Sequence, residues 1–202
     1  MNSGLKLVLI IFIAAAAAVV AGYVALAGPW QAAEPAPFLA SSDVRDPMPD
    51  GKTVEVQYIA NEGVLITAGG KRVLIDGLHR KYADAYAYLP DSEREKIESA
   101  RKPFDGVDLI LVSHMHGDHF HPESVGSYLR SDPKAILATS QQIVDEIGGK
   151  FGAYTSVKDR VLSIPFTFKE RLTKNVAGID VEFLALGHGS GRHATIQNFG
   201  HV

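Results

Sequence analysis

Residues 113–119 read Ser113-His114-Met115-His116-Gly117-Asp118-His119, which places three imidazoles and a carboxylate within seven positions. Imidazole nitrogen and carboxylate oxygen together suit Zn²⁺, and three protein ligands plus an open position for water is the usual arrangement at a catalytic zinc. The spacing asks for extended backbone. On a helix His114 and His116 would face nearly opposite sides, whereas on a strand alternate side chains share one side. Gly117 is expected to allow the tight bend that returns Asp118 and His119 toward the same cavity. The chemistry implied is metal-assisted hydrolysis. A bound zinc ion lowers the pKa of its water to about 7 and polarises a carbonyl or phosphoryl oxygen. The acceptor would be an ester, lactone, amide or phosphodiester in a small-molecule substrate. Asp118 is the expected catalytic carboxylate, orienting the attacking water.

Asp108 to Val112 form an almost wholly apolar run that reads as a buried strand leading into this segment. Upstream, Val54, Val56 and Tyr58 alternate with Glu55 and Gln57, the period of a strand with one wet face. Val64 to Thr67 and Arg72 to Ile75 flank Ala68-Gly69-Gly70-Lys71 and predict a hairpin. A helix is expected from Asp91, capped by Ser92, to about Lys102, where Pro103 stops it. Another should begin at Pro122 and run to about Arg130. Further on, Ala135 to Ala138 reads as a strand, and Ser140 to Ile147 as a helix closed by Gly148-Gly149. Arg160 to Ile164, Phe166 to Arg171 and Ile179 to Leu186 read as strands. Strands followed by strand-helix alternation predict an α/β sandwich.

The two ends of the sequence differ from this middle. Leu7 to Ala27 is 21 residues without a charge, preceded by Lys6, long enough to cross a bilayer as a helix. Ala25-Leu26-Ala27 also has the small-x-small form of a signal-peptidase site. Residues 1–27 are therefore expected to be a signal or membrane anchor, which puts the histidine cluster outside the cytoplasm. Residues 28–51 carry five prolines and read as a linker. Residues 52–202 remain as one catalytic domain. A formal charge of −3 with no Lys/Arg cluster gives no reason to expect nucleic acid. The absence of cysteine excludes disulfides and thiolate ligands.

The H-x-H-x-D-H segment after a buried strand resembles the signature of the metallo-β-lactamase superfamily. The resemblance runs from about Thr53 to Val202. Gly70 to Gly77 is similar to the family's strand ending in an aspartate near the metal, here Asp76. Leu186-Gly187-His188-Gly189-Ser190 is similar to the segment that supplies the next ligand. The run on to His193 and Asn198-Phe199-Gly200 looks closest to the lactonase-like and phosphodiesterase-like branches. The resemblance implies an αββα fold. It implies a first metal on His114, His116 and His188, with Asp118 and His119 beginning a second site. The family adds a bridging aspartate and a final histidine beyond further strands, so the second half of the fold is expected to be incomplete, cut short at its carboxyl end. His201 reads as a strand residue rather than that histidine. One zinc ion should then bind firmly and a second weakly or not at all, with iron or manganese less favoured as the metal.

Other side chains rank below these. Arg192 and His193, close behind His188, could bind an anionic substrate group. His79 is expected on a surface loop, and His121 at the cap of the helix that starts at Pro122. Asp76 is expected to brace the strand-end loop. Tyr82, Tyr86 and Tyr88 could line a groove, although packing onto the domain suits them better. Two alternatives stay open: an iron-dependent redox member of the same fold, and a metal-binding but inactive fragment.

Overall fold

The computed structural model describes residues 53–202, so the leader and linker readings for 1–51 lie outside the described residues. A six-stranded sheet runs in the order β1 (Val54–Ala60), β2 (Gly63–Ala68), β3 (Lys71–Ile75), β4 (Leu109–Leu111), β5 (Ile136–Ser140) and β6 (Val161–Ile164). The first three strands are antiparallel, and β3 to β6 are parallel. A second, antiparallel sheet holds β7 (Arg171–Val176), β8 (Ile179–Leu186) and β9 (Asn198–His201). Three helices complete the domain: α1 (Asp91–Glu98), α2 (Pro122–Ser131) and α3 (Gln141–Lys150). The α/β sandwich expected from the sequence is the fold observed.

The two sheets close on one apolar core. Leu109, Leu111, Ala138 and Ile164 from the larger sheet meet Val176, Val181, Phe183, Ala185 and Phe199 from the smaller one. Each large side chain in it contributes roughly 1.5–3 kcal/mol by leaving water. β4 is buried along its whole length, which is why a central parallel strand reads as an unbroken apolar run. β8 alternates instead, with Val181, Phe183 and Ala185 facing inward. The Gly69-Gly70 turn has positive φ at both residues, as a two-residue hairpin requires. Lys71 Nζ donates to the Ala177 carbonyl at 2.8 Å and to Asp108 at 3.2 Å, tying the two sheets together.

Several local expectations are corrected. Helix α1 is preceded by Pro90, not capped by Ser92, because the Pro90 carbonyl already accepts the Glu93 and Arg94 amides. It ends at Glu98, short of Lys102, where Ala100 turns left-handed and the Arg101 amide reaches back to Lys96. Helix α3 runs through Gly148-Gly149 to Lys150. The buried Phe151 sets its end, its ring lying where a Cβ on Gly126 would stand. Phe166 to Glu170 form a turn rather than a strand. Phe166 packs on the core while Phe168 stays 57% exposed, so the alternation mimicked a strand.

Candidate metal centre

The parallel strands β3, β4 and β5 bring their carboxyl ends to one edge of the larger sheet, and the site is built there. Asp76 follows β3 in a left-handed conformation, φ 47°, and donates its amide to the Leu111 carbonyl. Its buried carboxylate accepts the Ser113 amide at 2.8 Å, the Ser113 hydroxyl at 2.7 Å and the His119 Nδ1 proton at 2.9 Å. Asp76 thus splices the end of β3 to the loop after β4. Because the Ser113 hydroxyl donates to Asp76, its oxygen is free to accept from His114 Nδ1, 3.0 Å away. That leaves the His114 Nε2 lone pair facing the cavity.

His114, His116 and His188 converge, each offering a ring nitrogen within 4.8 Å of the others. His114 Nε2 and His116 Nδ1 stand 3.2 Å apart, and the His114 and His188 rings are 4.1 Å apart between centroids. A tetrahedral ion with metal–nitrogen bonds of about 2.1 Å separates its ligands by about 3.4 Å, so the donor set fits such an ion with a small closure. Burial holds the His114 pKa down at about 3, helped by the neighbouring His119, His188 and His116 rings. Burial also lowers that of His116, with His188 next in effect. Both present lone pairs at neutral pH, the form a metal ligand needs.

His119 differs. Burial opposes its charge, yet the Asp76 hydrogen bond and the Asp76, Asp118 and Glu62 charges raise its pKa. Its ring lies 4.0 Å from that of His114, and its Nε2 is 3.8 Å from Asp118 Oδ2. Asp118 and His119 therefore sit beside the triad without joining it. His193 is also close, its ring 5.3 Å from that of His116, and Arg192 Nε donates to it at 3.2 Å.

Other expected positions fall elsewhere. His79 is buried, not on the surface, with Nε2 at 3.2 Å from the Ala60 carbonyl. His121 occupies the cap position of α2 but makes no side-chain cap bond, and its buried Nδ1 has no partner. Gly117 does not have positive φ. Its lack of a side chain serves close approach, since a Cβ there would stand 2.4 Å from the Tyr82 ring. Tyr82 lies against the histidine loop, 56% exposed, with Tyr86 5.8 Å away. His201 is a β9 residue, as expected. The contributions of Ser113, of Asn61, which donates to the Asp118 carbonyl at 2.8 Å, and of Gln142 and Gln197 went unread. Asn61 in the β1–β2 turn carried only a turn signal.

A family model described as a beta-lactamase superfamily domain matches residues 55–190, more than half of the sequence. The protein belongs to the beta-lactamase superfamily. Comparison with curated proteins gives no significant match. Among solved structures, it is similar to a protein assigned as a metal-dependent hydrolase from Parabacteroides distasonis, at 14% identity and a TM-score of 0.47 over 77% of this sequence. It is similar to a metallo hydrolase from the archaeon Ignicoccus hospitalis, at 14% identity and a TM-score of 0.43 over 74% of this sequence. A third is a diiron β-hydroxylase from Streptomyces venezuelae, at 16% identity and a TM-score of 0.42 over 74% of this sequence. The match spans 57%, 55% and 27% of the lengths of these three proteins, respectively. The His114, His116 and His188 side chains form a cluster able to hold a metal ion. Among the described residues no helix is long and apolar enough to cross a membrane.

Proposed function

We propose that this superfamily member is a zinc-dependent hydrolase, acting on an ester, lactone, amide or phosphodiester bond of a small molecule outside the cytoplasm. The observation that carries this reading is the convergence of His114, His116 and His188 on one point, with His114 buried and its lone pair oriented by Ser113. Zinc held there would supply Lewis acidity and a water of lowered pKa. Asp118, 3.8 Å from His119, would orient that water and accept its proton. His119, fixed through Nδ1 by Asp76, turns Nε2 toward Asp118 and, with it, would hold a second and weaker ion. The apolar segment 7–27 supports membrane anchoring or export.

Elemental analysis of the purified protein should find about one equivalent of zinc after dialysis, and less iron or manganese. Hydrolysis of 4-nitrophenyl acetate, a γ-lactone and bis-4-nitrophenyl phosphate should reveal the bond type. His116→Ala should lose both zinc and turnover. Stoichiometric iron in place of zinc, or turnover that survives His116→Ala, would overturn the reading. Cell fractionation, with the protein in the membrane or exported fraction, tests the location.

A further inference from the structure

The segment between His188 and β9 carries a cation, Arg192, next to a histidine at the edge of the triad. Arg192 makes no ion pair among the described residues, and it is exposed. Its one recorded side-chain bond is the Nε donation to His193 Nε2, at 3.2 Å. A guanidinium can only donate, so Nε2 of His193 is the acceptor and the ring proton sits on Nδ1. The His193 ring in turn lies 5.3 Å from His116 and 6.2 Å, nearly parallel, from His188. Arg192 thus braces the His193 ring beside the triad, and its other guanidinium nitrogens have no recorded acceptor among the described residues.

The segment is also held in place, which an idle surface loop would not require. Gln142, in the first turn of α3, donates Nε2 to the Thr195 carbonyl at 2.8 Å and accepts the Gln197 amide on Oε1 at 2.9 Å. Gln197 Oε1 returns the contact to the Gln142 amide at 3.4 Å. This reciprocal clamp fixes the backbone two residues past His193, so the side chains before it have a defined position relative to the triad.

We infer that Arg192 and His193 receive an anionic group of the substrate, a carboxylate or a phosphate, next to the bond being cut. The inference rests on the metal-site reading above. Arginine suits this task because its planar fork gives two parallel bonds to either oxyanion. A substrate so held would carry its negative charge within about one side-chain length of the metal ligands, which favours acidic esters, acidic lactones and phosphodiesters over neutral esters.

The test uses the full-length zinc-loaded protein and two anions that cannot be hydrolysed, phenylphosphonate and phenylacetate, with acetophenone as the neutral control, titrated calorimetrically. The wild type should bind at least one anion, and Arg192→Met should weaken that binding roughly tenfold or more with zinc content unchanged. Arg192→Lys should fall between the two. Preference for the phosphonate assigns the phosphate class, and preference for the phenylacetate the carboxylate class. Equal anion binding by wild type and Arg192→Met, or none by the zinc-loaded wild type, overturns the inference while leaving the zinc reading intact. Failure to load zinc at all, in wild type as in His116→Ala, instead overturns the metal-site reading and with it this one.

Discussion

The loop bearing His114 and His116 leaves a strand buried on both faces, whereas the loop bearing His188 leaves β8 at Leu186, which is 44% exposed. The first loop is stitched to its neighbours at every turn, through Asp76, Ser113 and the carbonyl of Asp118. The second passes through Gly189 and Gly191, both with positive φ, and among the described residues its side-chain grip lies beyond His193, at the Gln142–Gln197 pair. One side of the site is thus set by the core of the larger sheet, and the other by a peripheral clamp. Such a division lets the segment that meets substrate vary without disturbing the ligands that the core holds.

The comparison breaks most readily at Asp76. Asp76→Ala strips three donors of their acceptor in a buried setting, so it should cost about 3 kcal/mol or more in urea unfolding. It should also weaken zinc binding roughly 10–100-fold in a competition titration. If it does neither, the first loop is not held in the way described.

Acid tests the core beneath the site. Burial lowers the His201 pKa from 6.5 to about 4, and the opposing Asp76 charge does not offset it. The unfolded protein therefore takes up this proton below about pH 6.5 while the folded protein resists until about pH 4. The contribution of His201 is fully present above pH 6.5 and is lost as the pH falls to about 4, on the order of 3 kcal/mol. His119 has the opposite sign, since its raised pKa adds stability on the acid side. Comparing unfolding of the wild type with His201→Leu at pH 7.5 and pH 4.5 isolates the effect. The gap should shift in favour of the variant at the lower pH.

Gln142→Ala sharpens the contrast from the other side. It should cost only about 1 kcal/mol of stability, yet lower zinc affinity by shifting His188. Cobalt-substituted protein should show a changed visible spectrum, and Gln142→Glu, which keeps an acceptor for the Gln197 amide, should restore it in part. The smallest effect is expected for Gly117→Ala. The Tyr82 ring it would strike is exposed and can swing aside, so stability should change by less than about 1 kcal/mol. Removing the ring with Tyr82→Ala should cancel even that change in a double-mutant cycle.

Much of the fold was legible because its signals are local. The apolar run at Leu109 to Leu111, the alternation of β8, the Gly69-Gly70 turn and Pro122 at the start of α2 all appear where the residue patterns placed them, whereas β1 forms as expected but leaves its apolar face, Val54, Val56 and Tyr58, exposed. Errors arose where a long-range contact overrode a local sign. Gly148-Gly149 reads as a helix end, but the burial of Phe151 carries the helix past it. Phe166 and Phe168 alternate like a strand, yet one enters the core and the other does not. His79 looked like a surface residue because nothing near it in the sequence announces the Ala60 carbonyl that receives it.

By itself, the sequence determined two of the donors: the spacing of His114 and His116 requires extended backbone, and imidazoles select the metals that they suit, while His188 was indicated only by the family resemblance. It also determined that a buried strand precedes them. Only the tertiary structure decided which distant groups complete the site. Pairing β3 with β4 brings Asp76 to Ser113 across 37 positions. Sheet-on-sheet packing brings His188 within reach of His114, and the Gln142–Gln197 clamp spans 55 positions. Those contacts depend on register and packing summed over the whole domain, and no short stretch of residues encodes them.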